Sequence, residues 1–96
     1  MDESTIINAI QSHLTEKGFS TDGNQFLIGR EAMARILFKA GVLTDRISCR
    51  ALTVLIKTAV KDRNTLRDYR TNQMRGWLFF GENSSVVIGE KMTVIE

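Results

Sequence analysis

Ninety-six residues, 43% hydrophobic and 25% charged, carry a net charge of +2 with a single cysteine and no proline. That length makes one domain, too small for a deep enzyme cleft, and the apolar share argues against a disordered chain. No apolar run approaches the roughly 20 residues that cross a bilayer, and the acidic start MDESTII lacks the basic, apolar pattern of a secretory leader. With Cys49 alone, no internal disulfide forms, so the expectation is a cytoplasmic protein. The missing proline, and apolar residues spaced by three and four, predict an all-α fold. The domain expected is a small antiparallel bundle of about four helices over residues 1–80, followed by a C-terminal tail or hairpin over 81–96.

The first predicted helix covers residues 4–17, capped by Ser4 or Thr5, with Ile6, Ile7, Ile10 and Leu14 as its apolar stripe and Gly18 as its stop. His13 lies at the edge of that stripe. It has no second histidine or cysteine near it in sequence, so it reads as a partly buried or surface side chain rather than a metal ligand. FSTDGN, residues 19–24, is a loop. A second helix is predicted over 25–40, burying Phe26, Ala32, Met33, Ile36, Leu37 and Ala40, and ending at Gly41. Gly29 inside it is unfavourable by about 1 kcal/mol relative to alanine, which points to a later helix start or close packing there.

The stretch over residues 44–61, TDRISCRALTVLIKTAVK, carries two stripes at helical spacing. At about 100° per residue, Arg46, Arg50, Thr53, Lys57 and Lys61 share one side, while Ile47, Ala51, Leu52, Leu55, Ile56 and Ala59 share the other. Thr44 is the expected cap. A helix, a glycine turn and a basic helix are compatible with a helix-turn-helix, although most helical hairpins of this kind are only structural. Charge is concentrated in the same half of the chain. From Arg46 to Arg75 there are eight basic residues against Asp62 and Asp68, an excess of +6, with −4 elsewhere. Such asymmetry suits an anionic partner; its plain alternative is a solvated helix face.

Asn64 is the expected cap of a fourth helix over residues 65–80, whose end, WLFF, is apolar around most of its circumference. That surplus predicts an interface, with Trp77, Phe79 and Phe80 joining two copies as a homodimer or meeting another protein. The segment 81–96 turns to β-branched residues, VVI and MTVI, and reads as a mobile or loosely docked tail. The rival reading pairs residues 76–80 with 85–88 as the strands of a wing, making the whole a winged helix.

The segments AIQSHLTEKG, EAMARILFKAG, LTDRISCRALTVLIKTA and RDYRTNQMRGWLFF, in that order, resemble the AriR/YmgB family of small biofilm-development regulators. The tail from Gly81 onward departs from that family's pattern. The resemblance implies an all-α dimer. It also implies a regulatory connector acting on a sensor-kinase phosphorelay that governs biofilm and acid resistance, with DNA binding proposed for some members.

Enzymatic readings find little support. No helix places two carboxylates on one apolar face, Cys49 and His13 lack an orienting third group, and GREA is not a phosphate loop. No cofactor or metal is expected. Three readings remain: a protein-binding regulator of a sensor kinase or transcription factor, a dimeric DNA-binding protein, and an inhibitor of an acidic protein surface. The last two use a basic face of Arg46, Arg50, Lys57, Lys61, Arg63 and Arg67.

Overall fold

In the computed structural model, which describes residues 2–84 and 92–96, helices and strands share the chain. Their order is α1 (Glu3–Glu16), β1 (Gln25–Gly29), α2 (Arg30–Lys39), α3 (Cys49–Ala59), β2 (Leu66–Arg70), β3 (Arg75–Phe80) and β4 (Met92–Ile95). The strands form one mixed sheet in the order β2-β3-β1-β4. The expectation of a four-helix, all-α fold is therefore corrected to an α/β fold with three helices packed on a four-stranded sheet.

The fourth predicted helix and the start of the second fail for the same physical reason. QFLIG and RGWLFF have no polar side to their apolar runs, and a short run of that kind fits a buried strand as well as a buried helix. Here all five residues of β1 are buried, as are Gly76 to Phe80 of β3. β1 is flanked antiparallel by β3 and parallel by β4, so it is a central strand with both faces covered. Phe26, Ile28, Trp77 and Phe79 join the helices in the main core. Leu27, Leu78 and Phe80 alternate with them and form a second cluster on the opposite face, flanked by Tyr69, Met74 and Met92. The aromatic surplus of WLFF is thus consumed by two faces of one strand.

Glycines place the joints. Gly18 and Gly41 adopt φ of 88° and 77° just past α1 and α2. Behind each, the following amide reaches back five residues, Phe19 to the Leu14 carbonyl and Val42 to that of Leu37, closing a Schellman motif. Gly29 ends β1 and caps α2, so the second helix starts five residues later than its expected beginning at Gln25. Gly29 faces Gly76 across the β1–β3 ladder, where a Cβ on Gly76 would collide with the Ile28 carbonyl.

The third helix is shorter than its two stripes suggest. Ser48, not Thr44, caps it, accepting from the Ala51 amide at 3.1 Å. Beyond Ala59 the backbone turns extended, and the Glu3 carboxylate on α1 accepts the amides of Lys61 at 2.7 Å and Asp62 at 3.2 Å. Asp62 then organises the turn into β2, accepting from the Asn64 amide and the Thr65 hydroxyl, both at 2.9 Å. Asn64 thus lies in a turn rather than at a helix cap. β2 and β3 form a hairpin around residues 71–74, where the Thr71 hydroxyl accepts the amides of Gln73 and Met74. The reading of the tail as mobile is corrected for β4, which docks on β1 with Ile95 in the main core. Of the wing reading, residues 76–80 do form a strand, but their hairpin partner is β2; residues 85–88 lie outside the described residues.

Candidate nucleic-acid interface

Alternation along the hairpin fixes which side chains face the helices. Leu66 belongs to the main core, so Asp68 and Arg70 share its face of β2; Trp77 and Phe79 belong there too, so Arg75 shares theirs on β3. Arg70 and Arg75 are directly paired in register. The same face meets α3. A crevice of about 200 Å³ opens there, lined by Thr53 of α3, Arg30 of α2, and Asp68, Arg70, Arg75 and Trp77 of the hairpin.

Thr53 therefore marks the flank of α3 that borders the hairpin. Arg50 and Lys57, three residues before it and four after, lie on the same stripe and are exposed. Val54 beside them is 60% exposed. Leu52 and Ile56 hold the opposite side of the helix in the core. One continuous surface thus carries Arg50 and Lys57 from the helix, Arg70 and Arg75 from the hairpin, and Arg30 from the start of α2. Among the described residues the only ion pair is Lys39–Glu16, so none of these five cations is neutralised by a carboxylate within 4.0 Å.

The six basic residues anticipated as one face divide among four places. Arg50 and Lys57 remain together on α3. Arg46 is exposed in the loop before the helix, while Lys61 and Arg63 lie exposed in the connection after it, because the helix ends at Ala59. Arg67 falls on the far side of the sheet. Its guanidinium stands 5.6 Å from the centre of the Phe80 ring, and its Nε donates to the Arg63 carbonyl at 3.1 Å. The anticipated interface of Trp77, Phe79 and Phe80 is also corrected: these side chains are 2%, 1% and 4% exposed, buried within their own chain. Arg30, Arg70 and Arg75 were outside the anticipated face. The count of basic residues over 46–75 includes the last two, but helical spacing scatters them, and only strand alternation brings them to one side.

Other candidate groups are placed apart from this surface. His13 lies on α1 beside Lys39 of α2. Burial holds its pKa below the usual value of 6.5, and Lys17 and Lys39 push in the same direction. Cys49 is exposed at the first position of α3. Among the described residues no group of His, Cys, Asp or Glu could hold a metal ion, and no helix is long and apolar enough to cross a membrane.

Comparison of the chain with family models, curated proteins and solved structures finds no match.

Proposed function

We propose that the protein binds duplex DNA as a winged-helix module, with α3 as the recognition helix and the β2–β3 hairpin as the wing. The observation that carries this reading is the convergence of the α3 stripe and the paired hairpin arginines on one surface, with no carboxylate within 4.0 Å of them among the described residues. α2 and α3, joined by residues 40–48, supply the helix-turn-helix, and the hairpin follows directly. At 11 residues α3 is about 16 Å long and fits the major groove, which is about 12 Å wide. Arg50 and Lys57 then contact phosphates or guanine edges, and exposed Val54 offers an apolar contact to thymine methyl groups. Arg70 and Arg75 on the wing bind backbone phosphates.

Fluorescence anisotropy with a labelled duplex of about 20 base pairs tests this. The paired variants Arg50→Ala with Lys57→Ala, and Arg70→Ala with Arg75→Ala, should each weaken binding at least tenfold while leaving the circular dichroism unchanged. Equal affinity for wild type and both variants would refute the assignment of these faces.

A second reading, a connector that binds a signalling protein, draws on the family resemblance and on one structural observation. Phe38 on α2 and Ile47 before α3 are 54% and 37% exposed and flank a shallow depression that also includes Ala34 and Leu43. The resemblance itself loses its last segment, since RDYRTNQMRGWLFF is a β-hairpin here. Affinity capture from a nuclease-treated lysate distinguishes the readings: a stoichiometric protein partner lost in Phe38→Ala would favour the connector.

A further inference from the structure

The crevice between α3 and the hairpin is built as though a ligand were part of it. Trp77 lines it, is 2% exposed, and among the described residues its indole N–H has no hydrogen-bond partner. Buried donors are nearly always satisfied, so this one is suited to an acceptor that a ligand would bring. Arg70 and Arg75 are cross-strand neighbours on the same face, an arrangement of like charges that is unfavourable and that an anion between or above them would offset. Arg30 adds a third guanidinium from the first position of α2, a helix whose N-cap, Gly29, supplies no side-chain acceptor to the first-turn amides. Asp68 is the one carboxylate in the lining; it is exposed, takes no hydrogen bond from Trp77 and makes no ion pair with the arginines. Three cations against one anion leave the crevice electropositive, and its only buried orphan is a donor.

We infer that this crevice is a specific phosphate site, in which the Trp77 N–H donates to one phosphate oxygen while Arg30, Arg70 and Arg75 neutralise the group. The inference rests on the DNA reading for its source: a backbone phosphodiester at the junction of recognition helix and wing. It goes beyond that reading by making the site a discrete pocket with a neutral donor. One contact then fixes how the wing is set against α3 on the duplex, whereas a diffuse basic surface would allow the two to slide.

Trp77 is the sole tryptophan, so its indole N–H gives a single resonance in a spectrum of the nitrogen-labelled protein. Wild-type protein is titrated with a duplex of about 20 base pairs, and separately with inorganic phosphate against sodium chloride of equal ionic strength. The expected result is a shift of the indole resonance that saturates together with duplex binding. A smaller shift in the same direction should follow phosphate but not chloride. In the variant Arg70→Ala with Arg75→Ala, both shifts should be lost. Trp77→Phe, which keeps the ring and removes the donor, should lower duplex affinity about tenfold without changing the salt dependence. If the duplex binds and the indole resonance stays in place, the pocket is overturned and the DNA reading stands. If phosphate moves the resonance and no duplex binds, the phosphate site stands and the DNA reading falls. If neither ligand binds, both fall.

Discussion

Replacing Phe79 with alanine separates the fold described above from an aromatic interface more sharply than any other single change. Phe79 is 1% exposed and lies on the main-core face of β3, with Leu66 opposite it on β2 and Phe26 on β1. Its ring centroid is 6.4 Å from that of Phe26. Truncating a phenylalanine in such a site removes its transfer free energy and leaves a cavity, costing about 3–5 kcal/mol. A domain of this size has a total stability of roughly 5–14 kcal/mol at 0.05–0.15 kcal/mol per residue, so the loss is a large part of the whole. Urea unfolding followed by Trp77 fluorescence and far-ultraviolet circular dichroism would show it. With a slope near the small-protein range of about 1–3 kcal/mol per molar, the midpoint should fall by about 2 M. Sedimentation at a fixed concentration should show the same association state for the folded fraction of both proteins. A variant of unchanged midpoint but reduced association state would refute the reasoning and restore the aromatic run as an interface.

Three further outcomes follow from single contacts. Glu3→Ala removes the carboxylate that accepts the Lys61 and Asp62 amides, so stability should drop by about 1–2 kcal/mol and hydrogen exchange at those two amides should accelerate selectively. Gly76→Ala places a Cβ against the Ile28 carbonyl and should destabilise by about 1–3 kcal/mol, visible as a lower melting temperature, whereas Gly18→Ala meets no atom within 4 Å and is penalised only by its positive φ. His13 has a pKa held below 6.5 in the folded state by burial and by Lys17 and Lys39, so the unfolded chain binds the proton more readily. Its contribution to stability is complete above about pH 6.5 and lost as pH falls through the folded value; His13→Gln should flatten that part of the stability profile.

What the sequence discloses about this fold depends on whether a signal has a competing explanation. Gly18 and Gly41 end helices wherever an apolar stripe precedes them, and both do so here. The core side of α3, Leu52 and Ile56, follows from helical spacing in the same way. Phe26, Leu27 and Ile28 have no such protection, because three consecutive apolar residues fit a helix interior and a central strand alike. Only pairing with β3 and β4, residues some 50 and 65 positions away, decides for the strand. Gly29 carried the clue, since a helix gains nothing from it and a strand-to-helix junction does. The same ambiguity governs the candidate site. Arg50 and Lys57 were legible as a stripe because both lie inside α3. Arg70 and Arg75 became visible as a pair only through hairpin register, and Arg30 only through the placement of α2's first residue beside them. Arg67, adjacent in sequence to these, goes to the opposite face because strand alternation separates neighbours that a helical reading groups together.

The measurement that bears most directly on the central claim is the salt dependence of duplex binding. If Arg50 and Lys57 each neutralise a phosphate and Arg30, Arg70 and Arg75 converge on one more, the logarithm of the binding constant should fall against the logarithm of salt concentration with a slope of about −3, at about −0.9 per contact. The variant Arg70→Ala with Arg75→Ala should reduce that slope by about 1. A wild-type protein that shows no duplex binding at low salt, or binds with a slope the hairpin variant leaves unchanged, would contradict the account.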